Sequence, residues 1–172
     1  SFDAVSNVTS SGMLTSFTTF APFSVQLASA TACGRASVSV NLSVNIIAAG
    51  TCFTINTSNI AINGLGFTIV GNGSGIGVNI SSGTKNVTIK HVHLDNFTRG
   101  VDIIADTNRI GNHTIYNNTI ISANKSDAPG IYVQRSSWNN ISWNNISTHS
   151  QATNSPGIYL AIESNNTFVE FN

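Results

Sequence analysis

Carboxylates are the groups with which a protein most often cleaves a glycosidic bond, and this chain has seven of them. Hydrolases place two or three carboxylates together, and calcium-dependent lyases need a cluster of acidic ligands. Asp102 and Asp106 are four residues apart, in a short strand and turn. The repeat described below puts Gly77, Tyr132 and Tyr159 opposite Asp102, so we expect no second carboxylate beside it and predict no catalytic site. The seven acids are Asp3, Asp95, Asp102, Asp106, Asp127, Glu163 and Glu170.

Two histidines and two tyrosines have spacings that suit binding. His91 and His93 alternate onto one side of a short run and could hold a metal weakly. The same spacing is typical of a polar pair on the surface, so we predict neither a metal site nor a cofactor. Tyr132 and Tyr159 occupy the same outward position in successive repeats. They could stack on sugar rings, or they could stabilise the structure by pairing with each other.

The composition excludes several classes of protein. Charged residues make up only 8% of the 172 residues, with seven basic and seven acidic side chains, against about 25% in an average soluble domain. This balance argues against a nucleic-acid partner or a polybasic membrane anchor. No apolar run approaches the ~18 residues of a membrane span. Asn, Ser and Thr together supply 64 residues, so the surface is expected to be polar without being ionic.

The chain contains thirteen Asn-x-Ser/Thr sequons, well above what its 23 asparagines would produce by chance. Four of them, at Asn86, Asn112, Asn140 and Asn165, fall in a repeated motif and could be sequons by accident of architecture. We expect N-glycans at several sites, with patchy occupancy that favours loops. The thirteen asparagines are Asn7, Asn41, Asn56, Asn72, Asn79, Asn86, Asn96, Asn112, Asn117, Asn124, Asn140, Asn145 and Asn165.

The two cysteines, Cys33 and Cys52, are expected to form a disulfide; the alternative is a pair of buried thiols. A disulfide across a loop of this size contributes about 3 kcal/mol to stability. It also points to a location outside a reducing cytosol, and we expect an extracellular or cell-surface protein.

Two interleaved motifs repeat along the chain at intervals of 25 to 30 residues. The first is Gly-φ-x-φ, where φ is an apolar residue, with glycines at Gly75, Gly100, Gly130 and Gly157 and a degenerate copy at Gly50. The second is Asn-x-Ser/Thr-φ, which keeps nearly the same interval. Two motifs that share one period over five copies indicate a repeat architecture. The asparagines of the second motif are Asn86, Asn112, Asn140 and Asn165, with a looser copy at Asn59.

Short runs rich in Ile, Val and Thr alternate in polarity between these motifs, which is typical of β-strands. We predict a right-handed parallel β-helix of five to six rungs, where a rung is one complete turn of the coil. Equivalent side chains would then stack about 4.8 Å apart. The expected corner residues are Gly64, His91, Asn117 and Asn145, because Asn and Gly tolerate left-handed backbone. The expected inward column is Ile62, Ile89, Ile115, Trp143 and Phe168. The sequence does not decide whether Trp138 is buried or exposed.

The residues from Cys33 onward resemble the β-helix repeats of the NosD and CASH class, which is abundant in archaeal surface proteins. The likeness rests on Cys33-Gly34, on Gly50-Thr51-Cys52-Phe53-Thr54-Ile55 and on the segment 59–69. It covers about 140 residues and implies the β-helix fold. It says little about function, because this fold supports lyases, hydrolases, binding modules and inert scaffolds.

The two ends of the chain differ from the repeats. Residues 1–32 are rich in Ser, Thr and Phe and do not share the period, so they are expected to cap the β-helix at residues 33–172 or to extend as an arm. The chain begins at Ser1 without a start Met, as a mature or trimmed product would. The segment 168–172 lies inside a predicted strand, with no cap after it, and a bare strand edge is a template for another chain. We therefore expect either that the chain was cut from a longer protein or that a partner covers this edge.

These features predict a structural glycoprotein outside the cell that assembles with copies of itself, through open coil ends and the N-terminal arm, into a surface layer, sheath, tube or filament. The alternative is a carbohydrate-binding or polysaccharide-lyase-like domain of a larger surface protein.

Overall fold

The computed structural model describes residues 28–149 and 155–172, and this part of the chain is an all-β solenoid of about five rungs with no helix. The predicted β-helix is therefore confirmed. Its strands form three sheets. Sheet A contains β1 (Ala28–Ala30), β3 (Val40–Leu42), β6 (Ala61–Asn63), β9 (Thr88–Lys90), β12 (Thr114–Tyr116), β15 (Asn140–Ser142) and β18 (Phe168–Glu170).

The other two sheets complete each rung. Sheet B contains β2 (Gly34–Ala36), β5 (Phe53–Ile55), β8 (Ile76–Ile80), β11 (Arg99–Ile110), β14 (Ile131–Ser137) and β17 (Ile158–Leu160). Sheet C contains β4 (Ile46–Ile47), β7 (Thr68–Val70), β10 (His93–Phe97), β13 (Thr119–Ser122) and β16 (Asn145–Ser147).

From β3 onward the chain visits sheets A, C and B in turn, so each strand pairs in parallel with its equivalent one rung away. The predicted cap or arm over 1–32 falls largely on residues outside the described ranges. Sheet A itself begins at Ala28, opposite Val40. The Cys33–Cys52 disulfide is confirmed, and it joins consecutive rungs beside a hydrogen bond from the Gly34 amide to the Cys52 carbonyl.

The core consists of apolar columns in which each residue stacks on its equivalents. Ile62, Ile89 and Ile115 form the predicted column, but Ile141 occupies its fourth position, and all four are fully buried. The predicted fourth and fifth members, Trp143 and Phe168, are wrong: they are 60% and 55% exposed.

The error arises because the motif at Asn140 is displaced relative to the corner between sheets B and A. Asn86 and Asn112 hold that corner with positive φ, and in the next rung Trp138 holds it instead. Asn140 therefore lies in strand β15 opposite Thr114, two positions after the corner.

Of the four corner residues predicted between sheets A and C, two have the expected left-handed backbone and two do not. His91 and Asn117 have the expected left-handed backbone, with φ of 52° and 53°. Asn145 instead pairs with Thr119 inside sheet C, because Trp143 takes the corner at φ 58°. In the earlier rung the left-handed positions are Leu65 and Gly66 rather than Gly64. Gly64 is still required, since a Cβ there would overlap the backbone of His91 and Val92.

A ladder of asparagines satisfies the backbone on the inside of this A–C corner. The Oδ1 atoms of Asn118, Asn144 and Asn172 accept the amides of Val92, Asn118 and Asn144, at 3.1, 3.2 and 2.9 Å. Their Nδ2 groups donate to main-chain carbonyls three residues before those amides. Asn118 and Asn144 are 2% exposed, so each bond replaces water that cannot reach the site.

We expect Asn144→Leu to lower the free energy of unfolding by about 3 kcal/mol, because it leaves the buried Asn118 amide without its partner and removes a hydrogen bond to the Ile115 carbonyl. Asn145→Leu is the matched control: Asn145 is the next residue, but its side chain is exposed, and a change below about 0.5 kcal/mol is expected. Urea unfolding of both variants measures the difference. Equal losses of stability in the two variants would contradict a stabilising role for the asparagine ladder.

Candidate functional site

A groove on the outer side of sheet B brings aromatic and polar side chains together. It has a volume of about 890 Å³. Its walls come from the connection over 123–130 and from residues 155–157. The connection over 123–130 is longer than the corresponding connections over 48–52 and 71–75 in earlier rungs. The residues lining it are Arg99, Asp127, Pro129, Tyr132, Ser155, Pro156 and Tyr159.

Close packing of the chain positions the groove. Gly100 and Gly130 precede the strand segments that form its floor, and both approach the rung above and sheet C closely. A Cβ on Gly100 would overlap the Ile120 side chain and the Gly130 carbonyl, and a Cβ on Gly130 would overlap Ile146 in the same way. This contact explains the glycine in two copies of the Gly-φ-x-φ motif, those at Gly100 and Gly130.

The floor of the groove contains an ion pair whose carboxylate is buried. Arg99 Nη1 lies 2.7 Å from Asp102 Oδ2, and Asp102 is only 2% exposed. Burial raises the pKa of Asp102 above its ordinary value, although the hydrogen bond and charge of Arg99 oppose that shift. The second oxygen, Oδ1, is buried and has no hydrogen-bond partner. The guanidinium of Arg99 also lies 4.1 Å from the centre of the Tyr132 ring.

The two predicted tyrosines come together as expected. Tyr132 lies opposite both Asp102 and Tyr159, and the two tyrosine rings meet edge to face with 5.5 Å between their centres. The prediction that Gly77 lies opposite Asp102 is wrong, because Asn79 holds that position. Tyr159 is half exposed and offers a ring to a ligand, whereas Tyr132 is partly covered.

The walls bring polar groups to the same groove. Ser155 Oγ accepts the Ala128 amide at 3.3 Å and donates to the Lys125 carbonyl at 3.0 Å, which ties the two connections together. Asp127 lies exposed on the rim. Because Arg99 and Asp102 neutralise each other, Asp127 gives the groove a net negative charge. An exposed aromatic ring beside a carboxylate, a hydroxyl and a guanidinium can stack on a neutral sugar ring and bond its hydroxyls.

The other predicted residues lie apart from this groove. His91 sits at a corner with its ring edge to face against Tyr116 and its Nδ1 3.3 Å from Asn63 Oδ1. His93 lies half-buried in β10. Within residues 28–149 and 155–172, no group of three or more His, Cys, Asp or Glu side chains could share a metal ion. Nor does this part of the chain contain a helix long and apolar enough to cross a bilayer.

Most of the sequon asparagines lie on the surface. Asn41 and Asn79 are half-buried, and Asn7 lies outside the described residues. Asn86 and Asn112 are joined in an outer ladder, in which Asn112 Nδ2 donates to Asn86 Oδ1 at 2.7 Å. The exposed sequon asparagines are Asn56, Asn72, Asn86, Asn96, Asn112, Asn117, Asn124, Asn140, Asn145 and Asn165.

Sequence reasoning missed one buried titratable residue, His113. Its Nδ1 accepts the Val87 amide at 3.2 Å, while its own amide donates to Asn139 Oδ1 at 3.1 Å. Burial lowers the pKa of His113 from 6.5 to about 4. The alternation in Asn112-His113-Thr114-Ile115 already places His113 on the same side as the inward Ile115, and that signal could have identified it.

Comparison of the chain with protein-family models, with curated proteins and with solved structures found no match. The resemblance to NosD and CASH repeats therefore remains a prediction.

Acid is expected to destabilise the fold through His113. The unfolded chain binds the extra proton first as pH falls, because the folded state holds the pKa of His113 at about 4, below 6.5. The stabilising contribution is complete above pH 6.5 and is lost towards pH 4, by about 3 kcal/mol.

Urea unfolding at pH 4.5 and 7 measures this loss. His113→Asn is the matched variant, because Asn139 in the next rung already accepts an amide from the same position. We expect the variant to be much less sensitive to pH between these values. An unchanged pH dependence in His113→Asn would contradict the assignment.

Proposed function

We propose that this chain is a structural glycoprotein of the cell exterior whose copies stack end to end, through the ends of the solenoid, into a surface layer, sheath, tube or filament. One observation carries the proposal. Among the described strands, β16, β17 and β18 of the last rung each pair on one side only, so all three sheets present an unpaired edge at the same end. Such edges accept further strands.

The interior is also open at this end. Ile146, Ile158, Leu160 and Val169 lie opposite residues of the inward columns, yet Leu160 and Val169 are 39% and 42% exposed. A recess of about 430 Å³ lies among Ile146, Ile158, Val169 and their neighbours. Another rung would bury these side chains, and burial of apolar surface favours association.

The opposite end offers matching edges. Within the described residues, β1, β2 and β4 are the outermost strands of sheets A, B and C. Val38, Val44 and Ile47 are exposed near them. Because every pairing is parallel, one end of a copy can continue the ladders of the other end of the next copy. Such head-to-tail contacts do not close on themselves and produce filaments. The predicted N-terminal arm would add a further contact between copies.

Three features support a location outside the cell. The Cys33–Cys52 disulfide is typical of oxidising compartments, and the sequon asparagines are mostly exposed. The surface is polar with few charges, so attached glycans would supply much of its hydration. Copies that stack along the coil axis leave the three lateral faces free to carry them.

The double variant Leu160→Lys/Val169→Lys tests the stacking. Both side chains are partly exposed, so the single copy should fold, but two buried charges would oppose another rung and abolish filaments. Leu65→Lys introduces one lysine on the side of the coil, at an exposed apolar residue, and should assemble normally. Electron microscopy and light scattering at matched concentrations measure assembly. Filaments formed equally by the double variant would refute the proposal.

The groove on sheet B favours a second candidate function, carbohydrate binding. The exposed Tyr159 ring beside Asp127, Ser155 and Arg99 supports it. Tyr159→Ala should weaken binding to neutral oligosaccharides on a glycan array at least tenfold. Tyr116→Ala, a tyrosine outside the groove, is the control. An array on which the unchanged protein binds no glycan would dismiss this candidate. Calcium-dependent release of unsaturated sugars would extend it to a lyase.

A further inference from the structure

Three aromatic residues have backbone conformations that aromatic residues rarely adopt. Trp138, Trp143 and Phe171 have φ of 63°, 58° and 51°, in the left-handed region that Asn and Gly tolerate and bulky residues rarely adopt. Asn112 and Asn117 hold the equivalent corners in an earlier rung. An asparagine would therefore fit these corners with less strain, and strained positions of this kind often mark functional surfaces.

More than half of the surface of each of these residues stays exposed in a single copy. Trp138, Trp143 and Phe171 are 55%, 60% and 66% exposed, and Phe168 nearby is 55% exposed. Trp143 and Phe171 stack on each other with 4.5 Å between ring centres and 22° between planes. That contact covers one side of each ring. We call these four residues the aromatic face.

The aromatic face belongs to the outer side of sheet A in its last two strands. Trp138 and Trp143 occupy the corners before and after β15, Phe168 lies in β18 opposite Asn140, and Phe171 follows β18. Trp138, Trp143 and Phe168 therefore belong to a lateral surface, whereas Phe171 also borders the recess at the open end beside Val169.

We propose that the aromatic face pairs with the same face of a second copy, side by side. The area fits this occupant. An aromatic side chain presents ~150–250 Å², so four that are somewhat more than half exposed offer about 500 Å² on each copy. Two such faces together bury at most about 1,000 Å², which suits a weak, reversible dimer. A patch of this size is also as large as the largest on most monomers.

Charge favours a protein partner over a lipid surface. Within the described residues after Trp138, the formally charged side chains are Glu163 and Glu170, and there is no lysine or arginine. Proteins that bind anionic membranes through aromatic residues surround them with basic ones. Two faces with so few charges, by contrast, lose little hydration energy when they meet.

This pairing goes beyond end-to-end stacking and does not depend on it. Stacking uses strand edges and the inward columns, whereas the aromatic face uses corners and the outer side of sheet A; Phe171 alone borders both surfaces. Copies that do both would form paired or bundled filaments, and copies that cannot stack would still form dimers.

Sedimentation equilibrium in the Leu160→Lys/Val169→Lys background tests the pairing, because stacking is blocked there. We expect a monomer–dimer equilibrium that Trp143→Asn/Phe171→Asn weakens at least tenfold. Leu65→Asn is the matched control: Leu65 is an exposed apolar residue with φ of 50° near the same corner, and its removal should leave the dimer unchanged. Circular dichroism checks that each variant folds, as expected for asparagine at these corners.

Two results would overturn the proposal. One is dimerisation that the aromatic double variant does not weaken. The other is a background protein that stays monomeric at all concentrations while its tryptophan emission shifts to the blue on phosphatidylcholine vesicles, which would assign the face to lipid. A glycan would obstruct this face, because Asn140 is an exposed sequon asparagine on it. Protein glycosylated at Asn140 is therefore expected to stay monomeric, and dimerisation of the glycosylated form equal to that of the bare form would also refute the pairing.

Discussion

Parallel pairing of each rung with the next is the constraint on which the rest of this structure depends. It stacks every side chain on its own equivalents, so an inward position must suit the same neighbours in rung after rung. Isoleucine meets that demand at Ile62, Ile89, Ile115 and Ile141. Polar groups meet it only where they bond to one another, as Asn144 does between the asparagines above and below it.

The same constraint decides where function can lie. A repeating interior leaves no room for a binding cavity, so specific features are confined to long connections, outward positions and the ends of the coil. The groove forms where the connection over 123–130 lengthens and residues 155–157 lie beside it. The aromatic face forms where tryptophan and phenylalanine replace asparagine at the corners. The open edges of the last rung are a direct consequence of parallel pairing, because a ladder always ends in unpaired groups.

The sequence predicted the architecture because its two motifs report the repeat directly. It misplaced Trp143 because the asparagine motif and the corner coincide at Asn86 and Asn112 but separate at Asn140. The sequence also did not show which member of an Asn-Asn pair is buried. Both residues have the same chemistry, and their burial depends on where the left-handed corner residue lies. The sequence did not predict the pairing of Arg99 with Asp102 either, because the repeat placed Gly77 rather than Asn79 opposite Asp102 and drew attention only to carboxylate partners.

Amide hydrogen exchange in the last rung tests the end-to-end account most directly. The account predicts that amides in β17 and β18 exchange quickly in dispersed protein and become protected on assembly, together with those of β2 and β4 at the other end. Protection that stays the same while filaments form would contradict it, because the copies would then be held together without strand pairing at their ends.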